Sequence, residues 1–108
     1  MIRAPDEQAA IDKQVAGMAL YQFYACPFCV RVRREMHRLN LSIETRDAHN
    51  DASYRRELLE GGGKIQAPCL LIDEDGKQTW LYESKSIIEY LRKSFDPTTV
   101  EPELAKSN

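Results

Sequence analysis

The sequence predicts an α/β domain in which a mixed four-stranded sheet is flanked by helices, with one additional helix at the N-terminus. Strand-like and helix-like segments alternate as β-α-β-α-β-β-α, and the first β-α-β unit implies two parallel strands joined by a right-handed crossover. Asp75-Gly76 lies between two apolar segments and is typical of a two-residue hairpin turn, so the last two strands are antiparallel. A chain of 108 residues is long enough for one such domain with one modest core.

The first 18 residues are polar and predict the additional helix. Pro5 suits its first turn and Gly17 suits its end. Ile11, Val15 and Met18 recur at intervals of four and three residues. They therefore predict the face of this helix that packs against the rest of the domain.

An apolar, aromatic strand is predicted at residues 20–24 and an amphipathic helix at residues 28–39. Four apolar residues at helical spacing predict its buried stripe: Phe28, Val32, Met36 and Leu39. Basic residues occupy much of the remaining surface: Arg31, Arg33, Arg34, His37 and Arg38. The favoured interpretation is a solvated face whose charges suit the helix C-terminus. The alternative is a basic rim that attracts acidic thiol substrates, for which Arg31 is the best candidate.

The second half of the chain supplies two more helices and three strands. In chain order, we expect a strand at 41–47, a helix from a cap at Asn50 or Asp51 to Glu60, strands at 70–73 and 79–82, and a helix at 84–95. The expected inward residues of these helices are Tyr54 and Leu58, then Ile87, Ile88, Leu91 and Phe95. The glycine triplet 61–63 ends the first of them; it lacks the pattern of a phosphate-binding loop. We divide the chain into a helical extension (1–18), the domain (19–95) and a polar tail (96–108).

Charge and composition exclude several functional classes. The net charge is −2, so the chain has no general basis for binding nucleic acid. Three cysteines do not make the disulfide framework of a small secreted protein, which favours a reducing, cytoplasmic location. No apolar run approaches the roughly 18 residues of a membrane span, and the N-terminus has no basic region followed by an apolar one. We also expect a monomer.

The motif Cys26-Pro27-Phe28-Cys29 lies between the first predicted strand and the following helix. Pro27 suits the first helical turn because its missing N–H would have no intrahelical partner there. Cys26 then lies at the helix N-terminus, where free N–H groups and the positive end of the helix dipole stabilise a thiolate. We therefore expect Cys26 to have a lowered pKa and to be the nucleophile. Cys29, one turn further on and better shielded, is placed to attack a mixed disulfide on Cys26.

A zinc half-site and a pair of inert core thiols are the alternatives for this motif. Zinc takes four ligands, usually with a second Cys/His pair at short spacing. The remaining candidates, Cys69, His37 and His49, contain no such pair. A redox-active pair is therefore the favoured interpretation, and we expect no metal.

Two further motifs follow in order: Gln66-Ala67-Pro68-Cys69-Leu70, and Tyr82-Glu83-Ser84 before Ile87-Ile88-Glu89-Tyr90-Leu91. Together with the cysteine motif, they resemble the glutaredoxin family, in the subgroup that is close to the N-terminal domain of glutathione transferases. The resemblance covers residues 20–93. It implies a three-layer, thioredoxin-like fold in which Pro68 forms a cis peptide and faces Cys26.

The resemblance also implies a glutathione site. The backbone of Ala67 would pair with the cysteinyl part of glutathione, and Glu83-Ser84 would bind its γ-glutamyl end. The chemistry agrees, because Ser84 at a helix N-terminus offers a hydroxyl and free N–H groups to a carboxylate, and Glu83 offers a negative partner to the ammonium. The alternative is that Ser84 is a plain helix cap and Glu83 a surface charge. The lysine that many glutaredoxins carry shortly before the first cysteine is missing, so Lys64, helped by Gln66, is expected to bind the glycyl carboxylate.

The implied function is that of a glutaredoxin-type thiol–disulfide oxidoreductase with glutathione as co-substrate. It would reduce glutathionylated or disulfide-bonded proteins through Cys26, with Cys29 resolving, beside Pro68 and Phe28; Phe28 replaces the tyrosine common in the motif. One alternative is a module that binds an iron–sulfur cluster through Cys26 and glutathione. Another is a glutathione transferase-like glutathione-binding domain, although only thirteen residues follow residue 95 and a helical C-terminal domain is missing. Cys69 is either a small buried hydrophobe or a third redox-active thiol.

Overall fold

The computed structural model describes residues 2–96 as a mixed four-stranded sheet between two layers of helices. The elements are α1 (Pro5–Val15), β1 (Met18–Gln22), α2 (Pro27–Arg38), β2 (Glu44–Asp47), α3 (Ala52–Gly62), β3 (Cys69–Glu74), β4 (Lys77–Tyr82) and α4 (Ser84–Phe95). The strand order is β2-β1-β3-β4, and only the β1–β2 pair is parallel among these strands. This architecture confirms the predicted thioredoxin-like fold class, including the additional helix. The predicted tail, apart from residue 96, lies outside the described residues.

The β3–β4 hairpin closes through Asp75-Gly76, as the sequence predicts. Both residues have positive φ, 52° and 82°, which is the conformation of a two-residue type I′ turn. Glu74 pairs with Lys77 directly across the turn. The turn therefore sets the register that brings Cys69 opposite Tyr82 at the other end of the hairpin.

Alternation along the strands divides the core into two layers. Leu20 and Leu70 point to the face covered by α2 and α4, where Val32, Ile87 and Leu91 meet them without measurable exposure. The opposite face is covered by α3, and its buried cluster consists of Ala19, Tyr21, Ala48, Leu58, Cys69 and Leu71. The two helices that carry the cysteine motif and Ser84 thus lie on the same side of the sheet.

The glycine triplet plays two roles that the sequence did not separate. Gly63 ends α3 in the left-handed conformation, with φ 92°, as expected. The prediction that Gly61 and Gly62 also lie beyond the helix is wrong, because α3 runs to Gly62. A Cβ atom at Gly61 would overlap the Trp80 ring, and one at Gly62 would overlap the Tyr82 hydroxyl. These two glycines therefore let α3 approach β4 closely.

The boundaries around the cysteine motif also differ from the prediction. The first strand begins and ends two residues earlier than expected. Beyond its end at Gln22, the Phe23 N–H donates to Cys29 Sγ, 3.4 Å away, instead of continuing the sheet. The prediction that Phe28 belongs to the buried stripe of α2 is wrong, since this side chain is 54% exposed. The stripe passes instead through Cys29, Val32 and Met36.

An ion-pair network joins the C-terminal halves of α2 and α4. The Glu35 carboxylate accepts hydrogen bonds from Arg38 and from Arg92, and Arg38 also donates to Asp96. Burial alone would raise the pKa of Glu35, but the two guanidinium groups lower it overall. The network thereby fixes the relative position of the two helices whose N-termini carry Cys26 and Ser84.

Candidate active site

Cys26 is the N-cap residue of α2, and Pro27 is its first helical residue, as predicted. The Cys26 N–H donates to the Phe23 carbonyl at 3.0 Å, and the Cys26 carbonyl accepts from Val30 N at 2.9 Å. Partial burial acts to raise the pKa of Cys26, but hydrogen bonds from the N–H groups of Cys29 and Phe28 outweigh it. The net pKa is lowered, so Cys26 forms its thiolate more readily than an ordinary cysteine does.

Cys29 has the opposite environment although it lies in the same helical turn. Its side chain is fully buried, and its sulfur accepts a hydrogen bond from Phe23 N. Burial raises the pKa of Cys29 to about 11, and the hydrogen bond and negative charge that it shares with Cys26 act in the same direction. The two thiols are therefore unequal. Cys26 ionises first, while the Cys29 thiol donates to it.

A cleft of about 190 Å³ lies beside this helix N-terminus. It is lined by six residues, all of them predicted as site residues: Phe28, Gln66, Ala67, Pro68, Glu83 and Ser84. The Ala67-Pro68 peptide is cis, which confirms the bond geometry that the resemblance implied. Three separate segments, the start of α2, the loop before β3 and the start of α4, thus meet at one cleft.

Glu83 and Ser84 form the N-terminus of α4 inside this cleft. Glu83 is the N-cap residue with φ 74°, a conformation that is uncommon for a residue other than glycine and that recurs at ligand sites. Ser84 is the first helical residue and is only 9% exposed. The first turn of α4 contains no acidic side chain, so its N–H groups and dipole remain available to an anion from outside.

Lys64 does not contact the cleft in the way that Glu83 and Ser84 do. Its ammonium lies 4.7 Å over the Tyr82 ring, and the Tyr82 hydroxyl donates to the Lys64 carbonyl at 2.8 Å. Lys64 is not among the lining residues, whereas Gln66 is. A role for Lys64 in binding the glycyl carboxylate stays a prediction that requires this side chain to leave Tyr82.

Cys69 belongs to the cluster under α3 and is fully buried. Burial raises its pKa to about 12, although a hydrogen bond with Tyr82 acts to lower it. A thiol in this state is protonated at neutral pH and out of reach of solvent. The environment favours the first of the two interpretations of Cys69, a small buried hydrophobe.

The arginines of α2 divide into two groups. Arg31, the predicted rim residue, is exposed and lies 6.0 Å from the Phe28 ring centre. Arg33, which the sequence places on a solvated face, is instead half-buried and bonds the loop that precedes Cys26. The sequence signal that could have marked it is its position one turn after Cys29, on the helix side that faces this loop.

The described part of the chain offers neither a metal site nor a membrane-spanning helix. Among residues 2–96, no group of three or more His, Cys, Asp or Glu side chains could hold a metal ion. Within the same range, no helix is long and apolar enough to cross a membrane. The cluster-binding alternative would need a second chain and stays a hypothesis.

The fold and the cleft define a class of protein: a thioredoxin-fold domain with a cysteine at the N-terminus of a helix and a cis-proline before the adjacent strand. Residues 20–99 match the family model described as "Glutathione S-transferase, N-terminal domain", and the chain belongs to this family. That finding supports the transferase side of the resemblance; membership of the glutaredoxins themselves stays a proposal. No curated protein matches the chain.

Several solved structures are similar to the chain. A maleylacetoacetate isomerase from Anaeromyxobacter dehalogenans, with dicarboxyethyl glutathione and citrate bound in its active site, is 26% identical with a TM-score of 0.57, over 74% of this chain and 36% of the isomerase. Glutathione transferase E6 from Drosophila melanogaster is 27% identical with a TM-score of 0.57, over 74% and 36% of the two chains. The thioredoxin-like protein BC3987 is 26% identical with a TM-score of 0.55, over 70% of this chain and 96% of its own length. The chain thus spans less than two-fifths of the isomerase and the transferase.

Proposed function

We propose that this chain is a glutathione-binding domain that catalyses thiol–disulfide exchange through Cys26, in the manner of a glutaredoxin. The observation that carries the proposal is the inequality of the two thiols at the N-terminus of α2, the helix whose Phe28 lines the cleft. Cys26 has a lowered pKa at the N-terminus of α2, whereas burial raises the pKa of Cys29 to about 11. Such a pair provides one attacking sulfur and one protected partner.

The cleft has the groups that glutathione requires. The N-terminus of α4 offers Ser84 and unpaired N–H groups to the γ-glutamyl carboxylate, and Glu83 offers a carboxylate to the neighbouring ammonium. Ala67 offers backbone groups to the cysteinyl unit, in the position that the resemblance implies. The similar isomerase holds a glutathione derivative in its active site, which supports this choice of ligand.

The reaction divides into two exchanges. The Cys26 thiolate attacks the glutathione sulfur of a protein–glutathione disulfide, a new Cys26–glutathione disulfide forms, and the protein leaves as a thiolate. A second glutathione thiolate then attacks the glutathione sulfur on Cys26, which releases oxidised glutathione and restores Cys26. With a disulfide-bonded protein, the Cys26 thiolate attacks one protein sulfur, a mixed disulfide forms, and the other protein sulfur leaves as a thiolate. Cys29 then loses its proton and attacks Cys26, which releases the second protein thiolate and leaves a Cys26–Cys29 disulfide. Two glutathiones later reduce this disulfide to the two thiols and leave as oxidised glutathione. Turnover of this kind fits a reducing compartment such as the cytoplasm.

A glutathione-coupled reduction assay on two variants tests the proposal. Cys26→Ser should abolish turnover with glutathionylated and disulfide substrates, since no attacking sulfur remains. Cys29→Ser should keep the reduction of a glutathionylated protein but lose most reduction of protein disulfides. Full activity of Cys26→Ser, or complete loss of both activities in Cys29→Ser, would contradict the mechanism.

The family match favours a second candidate, a glutathione transferase-type activity in which the bound glutathione attacks an electrophile. In this case the cleft would bind glutathione in the same way. Cys26 would contact the glutathione thiol but would not form a disulfide with it. Conjugation of glutathione to a reactive aromatic electrophile distinguishes the two candidates. Conjugation by wild type without measurable disulfide reduction would replace the first candidate by the second.

A further inference from the structure

Arg33 connects three parts of the molecule that meet behind Cys26. From the second turn of α2, its guanidinium donates to Gln22 Oε1 at 2.5 Å and to the Tyr24 carbonyl at 2.9 Å. The same guanidinium lies 4.7 Å over the Tyr24 ring. Gln22 is the last residue of β1 and is only 6% exposed, so its amide needs a partner inside the protein. Arg33 is that partner.

The segment that Arg33 holds is the one that sets the position of Cys26. Within it, Cys26 N donates to the Phe23 carbonyl, and Phe23 N donates to Cys29 Sγ. Arg33 bonds the residues on both sides of Phe23, so it holds the segment that leads from β1 to Cys26 against α2. The two terminal nitrogens of the guanidinium each bond one acceptor, the Gln22 amide oxygen and the Tyr24 carbonyl, whereas a lysine has a single nitrogen for both.

We propose that Arg33 is a positioning residue for the reacting thiol: it holds residues 22–26 against α2 so that Cys26 stays at the helix N-terminus, and it adds a positive charge beside the sulfur. The charge of Arg33 lowers the pKa of Cys26, after the contributions of the backbone N–H groups and of Cys29. Arg31, by contrast, lies over the Phe28 ring at the rim. The inference rests on the proposed role of Cys26 as the reacting thiol, but it requires no assumption about glutathione.

The test is the pH dependence of alkylation of Cys26 by iodoacetamide in the reduced protein, followed by mass spectrometry of the Cys26 peptide. We expect Arg33→Gln to slow alkylation of Cys26 several-fold at neutral pH. The rates of variant and wild type should converge at high pH, where Cys26 is ionised in both proteins. Arg33→Lys keeps the charge but loses the pair of guanidinium nitrogens that bond Gln22 and Tyr24. Its alkylation profile should therefore lie between those of wild type and Arg33→Gln. Arg34→Gln removes the same charge from an exposed neighbour on α2 and should follow wild type.

A double-mutant cycle adds a readout that lost stability alone does not produce. If Arg33 acts through Gln22, then the effects of Gln22→Leu and Arg33→Gln on the neutral-pH alkylation rate should be clearly non-additive. A profile of Arg33→Gln that coincides with that of Arg34→Gln would overturn the inference, and so would additivity in the cycle. If Arg33→Gln does not fold, Arg33→Lys and Gln22→Leu decide: unchanged alkylation in both overturns it. If the Arg33 variants alkylate as expected but wild type does not bind glutathione, the result counts against the proposed function only.

Discussion

Replacing Ser84 by alanine separates a glutathione-binding role from a plain helix cap. The N-cap of α4 is Glu83, and Ser84 is the first helical residue, so its hydroxyl does not occupy the capping position. Ser84 lines the cleft and is only 9% exposed. We therefore expect Ser84→Ala to weaken the binding of glutathione and to change the stability of the fold little.

The magnitude follows from the bond that would be lost. A hydrogen bond to a charged group contributes about 1.5–3 kcal/mol. Since every 1.4 kcal/mol is tenfold in affinity, the Kd for glutathione should rise roughly ten- to a hundredfold. If Ser84 were a cap instead, the same change would cost about 1 kcal/mol of folding stability and leave the Kd alone.

Calorimetric titration of the reduced protein with glutathione measures the first quantity, and thermal unfolding measures the second. Ser86→Ala is the matched control, because it makes the same chemical change two residues further along α4, at an exposed position. An unchanged Kd in Ser84→Ala, together with a lower Tm, would refute the argument that this hydroxyl faces the ligand.

Three further predictions concern the thiols and the fold. In the folded, reduced protein, iodoacetamide should leave the buried Cys69 unmodified, and labelling at a rate close to that of Cys26 would contradict its structural role. Because the pKa of Cys26 is lowered, its alkylation rate should stay high at pH values where a free cysteine is already protonated, and fall only as the pH drops below that lowered pKa; a profile like that of free cysteine would count against it. Gly61→Ala should reduce the free energy of unfolding in urea by about 1–3 kcal/mol, since the overlap with Trp80 outweighs the gain in helix propensity, while Glu60→Ala should stay near wild type.

Much of the fold and the cleft was predictable because local chemistry decides it. A proline after Cys26 begins a helix, an Asp-Gly pair with two positive φ angles makes a hairpin, and Asp51 caps α3 through Ser53 N and Tyr54 N. Each of these local structures involves only a few neighbouring residues, so the sequence alone is enough to predict it. The six residues of the cleft belong to three such local motifs, and the family resemblance supplied their common position.

The features that the sequence did not reveal depend on distant partners. Gly61 looks like a helix terminator until Trp80 is seen against it. Phe28 fits the apolar spacing of α2, but its side chain is 54% exposed, and Cys29 is buried in its place. Arg33 looks like one basic residue among several until its guanidinium is found on Gln22. In each case the deciding contact joins two segments whose proximity no local pattern encodes.

The unequal thiols follow from one geometric fact, the point at which α2 begins. Because Pro27 is the first helical residue, Cys26 receives N–H groups that have no acceptor inside the helix, while Cys29 falls on the buried stripe. Desolvation then raises the pKa of Cys29 to about 11, and its proton remains available to hydrogen-bond the Cys26 thiolate. If the start of α2 is the origin of this asymmetry, the reduced pair should lose its first proton from Cys26, and Cys29 should become reactive only after Cys26 has been consumed in a mixed disulfide. Peptide-level alkylation of the reduced protein, followed by alkylation of a Cys26–glutathione adduct, measures that order directly, and early labelling of Cys29 would refute it.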